Sequence, residues 1–194
     1  VGGTCFDHAL ELKKTLEAEN VVASLHEAEV CMTGEVTHRL VRVTFDDRDI
    51  FLDTGSGWPT CFTIEKDFNE TNHKVAGVNF QVVNKGGHIL VRRHNGDRWL
   101  DMNRIFLAKQ DEATILNKFD RRYKQRLPFN DELRLSWLEE KRFFRLVNNI
   151  LSVFESGMQE KRIKLTPEEI LRRIEKTTFP GLIPDLSEYL EKNT

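Results

Sequence analysis

The apolar positions change period along the chain, and those changes divide it. In residues 5–19, CFDHALELKKTLEAE, the residues Phe6, Ala9, Leu10, Leu12 and Leu16 recur near 3.6-residue spacing, which predicts a helix. Thr4, or the Gly2-Gly3 pair before it, starts that helix, and Asp7 and Glu11 place negative charge in its early turns. From Val36 the period becomes two. VTHRLVRVTF sets Thr37, Arg39, Val41, Val43 and Phe45 on one face and His38, Leu40, Arg42 and Thr44 on the other. Asp46-Asp47-Arg48 reads as a turn and DIFLD as the returning strand of an antiparallel hairpin. DTGSGWP follows, and its two glycines and Pro59 force an irregular backbone.

FQVV, HILVRRH and RWLDM read as further strands, separated by Lys85-Gly86-Gly87 and by Asn95-Gly96, a two-residue hairpin signal. Residues 111–126 are helical in pattern and strongly charged. RFFRLVNNILSVFESG and MQEKRIKL read as two strands joined near Glu155-Ser156-Gly157. Thr166-Pro167-Glu168-Glu169 starts a helix with apolar residues at 170, 171 and 174, and Phe179-Pro180 and Pro184 end it. The predicted class is α+β: a helix, a curled antiparallel sheet, then a C-terminal strand–helix layer.

At 194 residues the chain can bury one core, or one domain plus a smaller lobe. Its charged residues nearly balance at a net −2, so no basic field exists to recruit nucleic acid. No apolar run approaches the ~20 residues that span a bilayer. The opening Val-Gly-Gly-Thr-Cys, without Met or a signal-peptide pattern, reads as a fragment whose upstream part is missing. Cys5, Cys31 and Cys61 are too few and odd in number for a disulfide scaffold, which predicts a reduced, cytoplasmic protein with a thiol free for chemistry.

A thiol attacks as thiolate, and its pKa falls at a helix N-terminus or beside an imidazolium. Cys5 sits at such a helix start, behind two glycines that let the backbone turn tightly. With the hairpin turn centred near Phe45–Asp46, His38 lies opposite a residue close to Asp53. Opposed and diagonal cross-strand neighbours are roughly 4.5–8 Å apart, within reach of an imidazole–carboxylate hydrogen bond. Each residue alone has a plainer reading: a small apolar residue at a helix start, a half-buried strand histidine, a turn carboxylate. Their joint order and context favour nucleophile, base and orienting acid.

These segments, GGTCFD, THRLVRV and FLDTGSG, resemble the arylamine N-acetyltransferase family, also called N-hydroxyarylamine O-acetyltransferases. The family pattern is Arg-Gly-Gly-x-Cys-x-Glu, then a Thr-His-x-Leu type strand, then Asp-x-Gly-Phe-Gly. Gly2, Gly3 and Cys5 match the first motif, Thr37 and His38 the second, and Asp53, Gly55 and Gly57 the third. FQVV, NGDRWLDM and TPEEI stand where its barrel and C-terminal lid should be. The resemblance implies a papain-like cysteine acyltransferase core, with the catalytic Cys on a helix N-terminus packed on an antiparallel β-barrel. It implies a division into the end of a helical domain with the Cys helix (1–30), a barrel (31–110) and a C-terminal α/β lid region (111–194). It implies a ping-pong reaction: Cys5 takes acetyl from acetyl-CoA and passes it to an aromatic amine, hydroxylamine or hydrazine. His38 relays the proton, Asp53 orients it, and Thr37, Gly55, Ser56 and Gly57 line the acceptor. Departures are Val1 for Arg, Asp7 for Glu, Ala9 for Asn and Ser56 for Phe, which bear on rate and acceptor range.

Other signals are weaker. Cys5-x-x-His8 has no second pair at zinc-like spacing, so no metal is expected. His73, His88 and His94 read as solvent-facing in loops and strand ends. Thr33-Gly34 is a candidate contact for the CoA pantetheine, against the plainer reading of a turn. Phe143, Phe144, Leu146 and Val147 read as core, and RRYKQR (121–126) as a solvated helix face that could attract CoA phosphates. The competing functions are a transglutaminase-like or papain-like cysteine hydrolase and a non-catalytic binding protein of the same fold. Small-molecule acceptor and acetyl-CoA are the expected partners, with no nucleic acid and no membrane.

Overall fold

A computed structural model describes residues 4–108, 111–123, 132–156, 160–177 and 180–193. The first helix, α1 (Cys5–Ala18), begins where the apolar period predicts. Thr4 takes the N-cap in extended conformation, and Asp7 turns back so that its Oδ2 accepts from the Thr4 N–H at 2.7 Å and the Thr4 hydroxyl at 2.8 Å. Asp7, at the third helical position, is thus the carboxylate of a capping box.

Eight strands follow: β1 (Ala23–Val30), β2 (Glu35–Phe45), β3 (Arg48–Asp53), β4 (Thr60–Glu65), β5 (Glu70–Val75), β6 (Val78–Asn84), β7 (His88–His94) and β8 (Trp99–Phe106). They form one antiparallel sheet in the order β4-β3-β2-β1-β8-β7-β6-β5. The sheet curls until its two ends approach: the Phe62 ring on β4 lies 6.1 Å from the His73 ring on β5. Inside this nearly closed barrel sit Ala28, Leu40, Phe51, Phe62, Phe80, Val82, Ile89, Val91 and Ile105. Burying each such large side chain stabilises the fold by about 1.5–3 kcal/mol before entropy is counted. Outside it, Phe6 and Ala9 of α1 and Ile115 of α2 (Glu112–Tyr123) cover Ala23, Leu25, Val41 and Val43.

A second antiparallel sheet, β9 (Arg134–Glu139), β10 (Arg142–Val147), β11 (Ile150–Glu155) and β12 (Lys161–Lys164), has the order β12-β11-β10-β9. One face packs on α3 (Pro167–Glu175) and α4 (Ile183–Asn193) through Trp137, Phe144, Leu146 and Leu151. The other face sends Phe143 and Phe154 into the barrel core, where both meet the Trp58 ring at 5.8 and 5.5 Å. Beside them the Ala76-Gly77 turn presses on the second sheet. A Cβ on Gly77 would lie 2.5 Å from the Glu155 carbonyl carbon, and Gly77 has φ +84°. The molecule is therefore α+β, as the periodicity predicts.

Several elements differ from the sequence expectation. RFFRLVNNILSVFESG is a hairpin in itself, because Asn148 takes φ +52° and turns β10 into β11. MQEKRIKL supplies only the short β12, and Gly157 and Met158 lie outside the described residues. Asn95-Gly96 opens a four-residue loop, since His94 pairs with Trp99 and the Asn95 side chain accepts from the N–H groups of Asp97 and Arg98. Pro184 falls in the first turn of α4, where its missing N–H does no harm, and so starts a helix. His73 is not a loop residue but lies half-buried in mid-strand, with its Nε2 buried. Residues 124–126 of RRYKQR, and Phe179, lie outside the described residues.

Gly77→Ala combines a backbone clash with a left-handed φ and should destabilise the protein by about 3 kcal/mol. Gly34→Ala, at φ +71° in open space, should lose only about 1 kcal/mol. Thermal unfolding of the two variants side by side checks the difference. Equal melting temperatures would mean that the second sheet does not need this contact.

Candidate active site

Cys5 occupies the first turn of α1, where unpaired backbone N–H groups and the helix dipole favour negative charge. It is half-buried, and its Sγ lies 3.6 Å from the Thr37 carbonyl oxygen of β2. His38, the next residue, is buried and points to the barrel side of the strand. Its Nε2 lies 2.8 Å from Asp53 Oδ1, and its ring also hydrogen-bonds the Cys5 thiol, which leaves Nδ1 for the sulfur. Asp53 Oδ1 accepts further from the N–H groups of Ser56 at 3.0 Å and Gly55 at 3.3 Å.

The hairpin register explains this meeting. The β2–β3 ladder runs from Phe45 opposite Arg48 to Val41 opposite Leu52. The turn is therefore Asp46-Asp47, one position later than a centre at Phe45–Asp46. Asp53 follows the last pair and sits diagonal to His38 on the same face, not directly opposite it. A diagonal separation still suits a long imidazole reaching a carboxylate.

Gly55 seats the thiol. A Cβ there would lie 2.3 Å from both Cα and Cβ of Cys5, closer than any side chain tolerates. Ser56 braces the same loop: its hydroxyl donates to the Trp58 carbonyl at 3.3 Å and accepts from the Trp58 N–H at 3.2 Å. Gly57 has φ +69° with open space around it. Thr33 and Gly34 form an exposed turn between β1 and β2, closed by the Thr33 hydroxyl donating to the Val30 carbonyl. His8 is exposed on α1, and Gly2 and Gly3 lie outside the described residues.

A charged group missed by the periodicity lies directly behind His38. Arg39 is buried, donates from Nη1 to the His38 carbonyl at 2.7 Å, and pairs with buried Glu27 opposite it on β1. Glu27 also accepts from Lys118 of α2 at 2.8 Å. The available signal was an arginine on the same strand face as Val41 and Val43, where an unpaired charge would not be buried.

Charge follows from these contacts. Burial pushes the Cys5 thiol up, but the His38 hydrogen bond and charge and the Arg39 backbone outweigh it, so its pKa falls below 9.0. Burial pulls His38 down, yet the Asp53 charge and hydrogen bond, with Cys5, raise it from 6.5 to about 10. The pair thus favours the charged forms of both groups, thiolate on Cys5 and imidazolium on His38. The stability His38 gains by being protonated is complete below about pH 6.5 and disappears as pH rises through about 10.

The fold is shared with solved enzymes at low sequence identity. The arylamine N-acetyltransferase of Mycobacterium marinum in complex with CoA matches at TM-score 0.79 and 16% identity, over 98% of this chain and 74% of that one. That of Nocardia farcinica matches at 0.75 and 22%, over 98% and 73%. That of Mycobacterium abscessus matches at 0.76 and 16%, over the same shares. Among curated proteins none matches. The likeness at these identities is one of fold. The N-acetyltransferase family model matches residues 1–180, and the chain belongs to that family, the arylamine N-acetyltransferases. Among the described residues no helix is long and apolar enough to cross a membrane.

Alkylation of Cys5 by iodoacetamide, followed on the Cys5 peptide by mass spectrometry, should be nearly flat from about pH 7 to about pH 9. His38→Gln should slow it at least about tenfold at neutral pH, since one pKa unit is tenfold in thiolate. Gly55→Ala should lose the flat profile while still folding. A wild-type rate that climbs through the ordinary thiol range would show that the pair is not ionised.

Proposed function

We propose that this protein transfers an acetyl group from acetyl-CoA, through a thioester on Cys5, to an aromatic amine, N-hydroxyarylamine or hydrazine. The observation that carries the reading is the Cys5–His38–Asp53 chain, with its hydrogen-bonded histidine between thiol and carboxylate. The Cys5 thiolate attacks the thioester carbonyl and the C–S bond to CoA breaks. The His38 imidazolium gives its proton to the departing CoA sulfur. The acceptor nitrogen, or the hydroxyl oxygen of an N-hydroxyarylamine, then attacks the Cys5 thioester, the C–S bond breaks to return the Cys5 thiolate, and the neutral His38 takes the proton the acceptor sheds. Asp53 keeps the ring in place and stabilises its charged form through both half-reactions. The N–H groups at the start of α1, that of Cys5 first, stabilise the oxyanion.

Family membership and the CoA-bound M. marinum relative support the donor. Thr37 and Gly55 border the thiol, and on this reading they bound the acceptor together with Ser56 and Gly57 of the same loop. Ser56, smaller than Phe and tied to Trp58, leaves more room there. Three unpaired cysteines support a reducing, cytoplasmic setting.

Incubated with acetyl-CoA and no acceptor, the protein should gain the mass of one acetyl group on Cys5 and release one CoA. An aromatic amine or hydrazine should then discharge it. Cys5→Ala should give no adduct, and Asp53→Asn should lower kcat by about 10²–10⁴. Turnover of an amide substrate without any acetyl adduct would replace this reading with the hydrolase.

A further inference from the structure

A second polar site lies where the barrel meets the other sheet. Trp58, Arg93 of β7, Arg145 of β10 and the Ser152, Glu160 and Arg162 side chains wall a pocket of about 230 Å³. The Arg93 guanidinium carbon stands 4.2 Å from the centre of the Trp58 ring and that of Arg145 stands 4.9 Å from it. Stacking on an indole holds a guanidinium but does not neutralise it.

The carboxylates nearby are already taken. Glu160 Oε1 accepts from Arg162 Nε and from the Ser152 hydroxyl, each at 2.8 Å. Glu132 pairs with Arg134. Among the described residues Arg93 and Arg145 have no ion-pair partner, and Arg93, only 8% exposed, keeps a buried Nε with no hydrogen bond. Burial pushes both guanidinium pKa values down; neighbouring arginines add to this and the Glu160 carboxylate opposes it at each. Three arginines and one carboxylate, Glu160, line the pocket, so two positive charges stand in excess, and buried charges are ordinarily paired.

We propose that this pocket binds a phosphate group carrying two negative charges, held by Arg93 and Arg145 against Trp58. A dianion balances the two uncompensated guanidiniums, whereas one carboxylate would leave a positive charge behind. Planar guanidiniums also match phosphate oxygens in pairs of parallel hydrogen bonds. Trp58 stands three residues after Gly55, which touches Cys5, so an occupant steadies the loop that seats the thiol. The assignment does not depend on the acyl-transfer reading.

The test is thermal unfolding of the protein with inorganic phosphate, pyrophosphate or coenzyme A, against chloride at equal ionic strength. At least one should raise Tm saturably, by about 5 °C or more at a hundredfold excess over its Kd. Arg145→Gln, half-exposed and tolerant of change, should weaken that binding at least tenfold and raise Tm without anion. Lys164→Gln, which removes a cation from β12 outside the pocket, should leave it unchanged. If coenzyme A binds and Arg145→Gln raises KM for acetyl-CoA, the phosphate is the donor's. If only the inorganic anions bind and KM is unmoved, it belongs to another ligand. No saturable shift with any of the three, or a shift indifferent to Arg145→Gln, overturns the site.

Discussion

Asp53 sits at the end of β3 with a carboxylate that burial has deprived of water, and the chain supplies three donors to one of its oxygens. Two of them come from the backbone of the next three residues, so the loop after the strand is folded around the carboxylate. The third is His38, held diagonally across the hairpin. From that anchorage the rest of the site follows. The histidine stays charged because the carboxylate is close, and the thiol is held down because the histidine is charged. Remove the carboxylate and burial would pull the His38 pKa down with only the Cys5 thiol left to oppose it.

Close backbone approach is the second constraint, and it acts at two glycines. Gly55 lets the Asp53 loop lie against the first residue of α1. Gly77 lets a barrel turn lie against the backbone of β11. Between them stands Trp58, which belongs to the loop of the thiol yet packs on Phe143 and Phe154 of the second sheet. The indole thus joins the loop of the candidate site to the seam where barrel and second sheet meet.

The start of α1, the β2–β3 hairpin and the meeting of Cys5, His38 and Asp53 were legible because local chemistry specifies each: a helix start, a period-two strand and an Asp-x-Gly loop. The exact diagonal was not, since Asp46-Asp47 and Phe45-Asp46 are equally plausible turn centres until the ladder is built. β1, β4, β5 and β9 gave no such signal. ASLHEAEV carries His26, Glu27 and Glu29 in a strand whose middle is buried, and only Arg39 and Lys118, distant in sequence, make Glu27 tolerable there. ETNHKV is an edge strand with little apolar content. Turns such as Glu140-Lys141 use a left-handed non-glycine residue and so lack the usual composition. Arg93 and Arg145 look like solvent-facing strand residues, because their convergence depends on how two sheets dock.

The last strand of the second sheet, β12, is Lys-Arg-Ile-Lys, three cations in four residues on a free edge. An edge strand offers unpaired N–H and C=O groups to any extended peptide, and a row of like charges is how natural sheets refuse that invitation. Like charges in a row here disfavour the addition of a fifth strand by another chain. The charges on this edge thus act against chain addition, a task separate from the pocket, which Arg162 alone of them lines.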